Sequence, residues 1–145
     1  MTTVNVYLTF KGNCKAAFEF YQSVFGGEFQ FIGFFKDMPP QEGMPPMSAE
    51  AGEKVMHVSL PISKETFLLG SDTDDVWSPN FTQGNNFSIS ISTDSQAKAD
   101  RLYNALVAGG QATMPMSKTF WSAYFGMLTD KFGINWMIGL EDEPE

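Results

Sequence analysis

The chain of 145 residues contains one histidine, His57, and one cysteine, Cys14. Any chemistry that needs an imidazole or a thiolate therefore rests on a single position of each kind. His57 lies in the run Met56-His57-Val58-Ser59-Leu60, where alternation turns Met56, Val58 and Leu60 to one side and His57 to the other. A lone strand histidine is more often structural or partly exposed. The functional alternative is a proton donor or acceptor near physiological pH inside a cavity. Cys14 opens a helical pattern, where thiolate character is favoured, but no second cysteine exists and no histidine is predicted beside it, so an inert thiol is expected. No serine or cysteine sits in a nucleophile motif. Asp72 and Asp130 end equivalent segments and as a pair mimic acid/base carboxylates, yet aspartates at such places commonly hold turns through backbone hydrogen bonds, and that is the expected role. The run Asp72-Thr73-Asp74-Asp75 lacks the glycine and terminal glutamate of an EF-hand loop and reads as a solvated loop. Catalytic residues are not assignable from residue types alone.

The elements that must position these groups are marked by period and punctuation. Val4, Val6, Leu8 and Phe10 alternate with Asn5, Tyr7 and Thr9, a strand with one apolar face. Ala17, Phe18, Tyr21, Val24 and Phe25 recur at helical spacing over Cys14–Phe25, stopped by Gly26-Gly27. A strand is predicted over Phe29–Lys36, then a proline- and methionine-rich loop, Asp37–Gly52, whose stretch Met38–Met47 is a plain loop, a lid or a segment swapped onto a dimer partner. Lys54–Ile62 and Glu65–Asp72 form a hairpin, and the polar loop Thr73–Gln83 carries Trp77 to a second cycle. There Phe87, Ile89 and Ile91 alternate with Asn86, Ser88, Ser90 and Ser92. A helix capped by Asp94 or Ser95 presents Ala99, Leu102, Tyr103, Leu106 and Val107 before Gly109-Gly110. A short strand, Gln111–Met114, and an aromatic hairpin over Phe120–Ile138, turning at Thr129–Gly133, complete it.

The two cycles echo each other in letters too: Ala17-x-x-x-Tyr21 before Gly26-Gly27 matches Ala99-x-x-x-Tyr103 before Gly109-Gly110. A repeat of roughly 80 residues exceeds solenoid periods and predicts duplicated βαβββ modules, 1–75 and 84–140, within one α+β domain. In each, one sheet face needs the helix and the other is free to curl into a cup. Trp121 and Tyr124 are expected in the cup wall, Trp136 in the core, and Asn86, Ser88 and Ser90 are expected to offer polar groups. Aromatic walls with a few polar groups are how small-molecule cavities are usually built.

Composition removes other classes of function. A net charge of −8 and a pI near 4.5 argue against nucleic acid and anionic membranes as partners. No apolar run approaches the roughly 20 residues of a membrane span, and no secretory signal pattern opens the chain. A single cysteine suits a reducing cytoplasm.

The segments Tyr7-Leu8-Thr9-Phe10-Lys11-Gly12-Asn13, Ala17-Phe18-Glu19-Phe20-Tyr21, Phe25-Gly26-Gly27-Glu28, Leu69-Gly70-Ser71-Asp72, Met114-Pro115-Met116, Phe120-Trp121 and Thr129-Asp130-Lys131-Phe132-Gly133-Ile134-Asn135-Trp136-Met137 occur in one order across the chain. Through them the sequence resembles the PhnB-like group, labelled as 3-demethylubiquinone 3-methyltransferase, of the vicinal-oxygen-chelate superfamily (glyoxalase, bleomycin-resistance protein and extradiol dioxygenase relatives). The resemblance implies two βαβββ modules forming a curled eight-stranded cup, usually in a homodimer. It also implies a metal held by four side chains, which strand phase places at Asn5, Leu69, Asn86 and Met137. Their neighbours Tyr7, Phe67, Ser71, Ser88, Asn135 and Gly139 supply no imidazole or carboxylate. The expectation is therefore no metal, no cofactor, and a cup that binds a small organic ligand through residues such as Asn5, Tyr7, His57, Leu69, Asn86, Ser88, Trp121, Tyr124 and Met137. The alternatives are a metal-dependent lyase, isomerase or dioxygenase, and the methyltransferase of the label. The latter fits poorly with Gly-Gly pairs that follow helices instead of opening them.

Overall fold

A computed structural model describes residues 2–39, 42–43 and 47–141. The chain divides into two compact units, Met1–Phe81 and Thr82–Glu145. In the first, β1 (Val6–Phe10) leads into helix α1 (Cys14–Phe25), followed by β2 (Phe31–Phe34), β3 (Val55–Pro61) and β4 (Phe67–Asp72). A short helix, α2 (Ala49–Gly52), sits between β2 and β3. The strands order as β1-β4-β3-β2, with β1 parallel to β4 and the other pairs antiparallel.

Helix α1 forms where expected because Cys14, Ala17, Phe18, Tyr21 and Val24 make one buried stripe. It packs on Leu8, Phe10, Val58, Leu60 and Leu68, all buried. Burying each of these large side chains contributes on the order of 1.5–3 kcal/mol. The contact is close at one point: a Cβ on Gly70 of β4 would stand 2.6 Å from Phe18 Cε2 and 2.8 Å from the Leu8 carbonyl oxygen. Glycine is required there by space, since its φ is not positive. Asp72 ties the start of the helix to the sheet. Its Oδ1 accepts the N–H groups of Gly12 (3.0 Å) and Cys14 (2.9 Å), and its Oδ2 accepts that of Val55 (2.9 Å). Two of the amides at the helix start are thereby satisfied by a buried carboxylate.

The second unit repeats the order: β5 (Ile89–Thr93), α3 (Gln96–Val107), β6 (Gln111–Ser117), β7 (Phe125–Thr129) and β8 (Asn135–Leu140), arranged β5-β8-β7-β6. Ser95 caps α3 by accepting the Lys98 N–H at 3.1 Å. The stripe Ala99, Leu102, Tyr103 and Leu106 is buried against Ile89, Leu128, Trp136 and Ile138. The fold is thus α+β, with eight strands among the described residues in two mixed four-stranded sheets and a βαβββ order in each unit. Among the described residues no helix is long and apolar enough to cross a membrane.

Four segments depart from expectation. Strand β2 is four residues long instead of spanning Phe29–Lys36. Its register shifts after Gly33, Asp37 Oδ2 accepts the Phe34 N–H at 3.0 Å, and Phe35–Asp37 turn into a 3-10 helix. The Asp37–Gly52 loop contains α2, capped by Ser48 through the Ala51 N–H, while residues 40, 41 and 44–46 of the Met38–Met47 stretch lie outside the described residues. Phe120–Tyr124 are not part of the final hairpin; Thr119 and Ser122 hold them in a local turn, and β7 starts at Phe125. Strand β6 runs on to Ser117, with register shifts on either side of Met114.

Candidate functional site

The face of the first sheet turned away from α1 carries one continuous row across all four strands. Tyr7 pairs with Leu69, Leu69 with Ser59, and Ser59 with Phe31. His57, two residues before Ser59 on the same strand face, pairs with Gly33. A Cβ on Gly33 would stand 2.9 Å from the Phe31 ring, so the bare glycine leaves the space that this ring occupies.

The rings gather around the imidazole. Tyr7 stacks on His57 with centroids 5.7 Å apart and planes at 27°. Phe31 lies on it at 6.0 Å and 36°. The Tyr7 hydroxyl is 3.3 Å from His57 Nδ1. His57 is half-buried, whereas Tyr7 and Phe31 are each 48% exposed, a large fraction for rings gathered on one sheet face. Ser59 is buried and donates from Oγ to Gln30 Oε1 at 3.1 Å. The row and the His57–Gly33 pair include no carboxylate, lysine or arginine. What results is a mostly apolar, aromatic surface with one titratable dyad.

In the second unit the corresponding face carries Ser90, Met137, Met127 and Met114 in register across β5, β8, β7 and β6. Three half-buried thioethers side by side form a soft, deformable apolar strip. Trp121 packs edge-on against Phe125 at 5.9 Å and is 53% exposed.

Of the residues singled out from sequence, Tyr7, His57 and Leu69 share the first face, and Met137 lies on the second. Asn5 is already engaged: its Oδ1 accepts the Phe67 N–H at 3.1 Å. Asn86 and Ser88 are exposed and precede β5. Tyr124 is turned the other way, donating to Asp100 Oδ1 of α3 at 2.5 Å, so it belongs to the helix side and not to a cavity wall. That hydrogen bond, with burial adding to it, raises its phenol above the usual range. Sequence reasoning missed Phe31, Ser59, Met114 and Met127. Phe31 sits in the aromatic run of the strand predicted over Phe29–Lys36, and only the strand order shows which of its rings lies beside His57.

The remaining candidates are structural. Asp130 is buried, with Oδ1 accepting the N–H groups of Phe132 (2.8 Å) and Ile134 (3.1 Å) and Oδ2 accepting Trp136 Nε1 (2.8 Å). Cys14 is fully buried, and burial, with Asp72 nearby adding to it, pushes its thiol far up. An open groove of about 380 Å3 lies beside the start of α1, lined by Gly12, Lys15, Lys54 and Asp72 among others. The helix terminus there already holds the Asp72 carboxylate.

The metal that the resemblance implies can be tested against these side chains. The Asn5 carbonyl oxygen is spent on a backbone amide, Leu69 has no donor atom, and Met137 offers a soft thioether. Among the described residues no group of three or more His, Cys, Asp or Glu side chains converges. This donor set does not fit a hard divalent cation.

The profile of the 3-demethylubiquinone-9 3-methyltransferase family matches residues 2–139. Protein YjdN of Escherichia coli K12 is 27% identical over 139 residues, 92% of each chain. The crystal structure of protein PA1353 from Pseudomonas aeruginosa is 36% identical, covers 99% of this chain and 100% of its own, and superposes with a TM-score of 0.84. A Bacillus cereus PhnB protein described as a 3-demethylubiquinone-9 3-methyltransferase superposes at 0.75 with 23% identity, over 97% of this chain and 100% of its own. A glyoxalase/bleomycin resistance protein/dioxygenase domain from Frankia sp. EAN1pec shares the fold at 0.65 with 14% identity, over 98% of each chain. The chain belongs to the 3-demethylubiquinone-9 3-methyltransferase family, and its fold is the one seen in the Bacillus cereus PhnB protein and the Frankia glyoxalase/bleomycin resistance protein/dioxygenase domain.

Proposed function

We propose that this protein binds a small aromatic organic molecule on the open face of its first sheet, and does so without the metal of its superfamily. The observation that carries this reading is the cluster of Tyr7, His57 and Phe31, two of whose rings are half exposed on the sheet face turned away from α1. Flat rings with a single polar dyad favour a planar apolar ligand with one hydrogen-bonding group. The poor fit of Asn5, Leu69 and Met137 to a hard cation supports binding by side chains alone. Methyl transfer, the activity in the family's description, finds little support, because Gly26-Gly27 and Gly109-Gly110 follow α1 and α3 and the start of α1 is capped by Asp72.

The test is thermal unfolding with and without 2-naphthol, cyclohexanol and S-adenosylmethionine. A ligand at 100 times its Kd stabilises by about 2.7 kcal/mol. The naphthol raises Tm in the native chain and less so in Phe31→Ala, whereas the other two compounds have no effect. No shift with any aromatic compound contradicts the reading. Near-stoichiometric Ni, Zn, Mn or Fe in protein purified without chelator or affinity tag contradicts its metal-free part.

A further inference from the structure

We infer that the ligand of this aromatic face is an aromatic acid, and that the Tyr7–His57 dyad receives its carboxylate only after taking up a proton. The inference rests on the binding reading above and adds the ligand's charge. In the neutral dyad one group donates across the 3.3 Å contact: either the Tyr7 hydroxyl donates to Nδ1 and the imidazole proton is on Nε2, or Nδ1–H donates to the Tyr7 oxygen and the hydroxyl proton is free. Among the described residues Nε2 has no hydrogen-bond partner. The neutral pair thus presents one donor and no charge.

Protonation fixes the direction of the bond. Nδ1–H then donates to the Tyr7 oxygen, freeing the hydroxyl proton to point outward. The pair now offers two donors, Nε2–H and Oη–H, together with a positive charge. Two donors and one charge match the two oxygens of a carboxylate, while the rings of Tyr7 and Phe31 match the aromatic body. Imidazoles change charge between about pH 5 and 8, where an aromatic carboxylic acid with a pKa of about 4 is already ionised. The groups around His57 within its unit do not compete. Strand β1 brings Tyr7 and Thr9, β4 brings Leu69 and Ser71, β2 brings Phe31 and Gly33, and β3 itself brings Ser59; only Tyr7 among these is titratable. With no lysine or arginine among them, the imidazolium is the cation that this face offers the anion.

The experiment compares 2-naphthoate with the uncharged 2-naphthamide by calorimetric titration at about pH 5.5 and about pH 8.0. Naphthoate binds at least about tenfold tighter at the lower pH, as a charge-assisted hydrogen bond implies, and naphthamide binds equally at both. His57→Gln removes the naphthoate gain while naphthamide still binds, which also controls for the general loss of negative charge on the chain at low pH. Tyr7→Phe keeps the ring, loses one donor and shows a reduced gain. Naphthoate affinity independent of pH, or a gain that survives His57→Gln, overturns the acid-gated carboxylate site even if naphthamide binds. Binding of neither compound overturns the aromatic site as well.

Discussion

Tyr7 Oη and His57 Nδ1 stand 3.3 Å apart although their strands are not neighbours: β4 runs between β1 and β3. Both side chains reach across β4 and meet above the sheet. This places the only imidazole of the chain inside an aromatic cluster. If Phe31 and Tyr7 form the ligand's bed, removing one ring costs about 0.5–1.5 kcal/mol of binding to a neutral naphthalene. Phe31→Ala is therefore expected to weaken 2-naphthamide measurably in calorimetry, while Tyr7→Phe, which keeps its ring, leaves that neutral ligand nearly unaffected. A loss from Tyr7→Phe with none from Phe31→Ala would show that the hydroxyl, not the ring bed, holds the ligand.

Gly70 marks the closest approach of α1 to its sheet. A methyl group there meets Phe18 at 2.6 Å and a backbone oxygen at 2.8 Å. Gly70→Ala is expected to destabilise by about 1–3 kcal/mol in urea unfolding, as overpacking does. Shortening the ring with Phe18→Leu in the same chain recovers part of that loss. Strict additivity of the two changes would show that they do not share one contact.

Asp130 serves the turn before β8, accepting from two backbone amides and the Trp136 indole. Asp130→Asn turns one acceptor into a donor beside donors that need partners. A loss of at least about 2 kcal/mol is expected, followed by tryptophan fluorescence during denaturation. Naphthamide affinity of the folded variant stays unchanged. A stable variant with lost ligand binding would instead assign Asp130 to a site.

How far these arrangements are legible in the sequence depends on the range of the interaction. The stripe from Cys14 to Phe25 and the Gly-Gly stop fix α1 locally, and the observed helix has those bounds. Alternation in Met56–Leu60 likewise places His57 opposite the buried Val58 and Leu60. Phe31 is different. Its ring reaches His57 only because β2 pairs with β3 in one register and Gly33 leaves room, and no local pattern encodes that pairing. Tyr124 shows the opposite failure: β7 begins one residue later, and a partner 24 positions away, Asp100, draws its hydroxyl to the helix side.

Cys14 gives a pH dependence with a definite sign. Burial raises its thiol above the ordinary value of about 8.5, so the native state keeps a proton that the unfolded chain releases. Its contribution is complete below that pH and declines as pH rises further. Tyr103, raised by burial, and Tyr124 add to the decline only above about pH 10. Between about pH 8.5 and 10 the Tm of the native chain is therefore expected to fall more steeply than that of Cys14→Ala. In the same range the thiol stays unreactive toward an aromatic disulfide until the protein unfolds; rapid labelling of the folded protein contradicts this.

The most direct measurement uses the fact that His57 is the only histidine. Its imidazole C–H resonances are unique in a proton–carbon NMR spectrum, and they sit between the rings of Tyr7 and Phe31. Titration with 2-naphthamide in the presence of EDTA is expected to move them by ring-current effects, saturating at one ligand per chain. Saturable binding that leaves both resonances unmoved, or that disappears when EDTA is added, would contradict a metal-free aromatic site on this face.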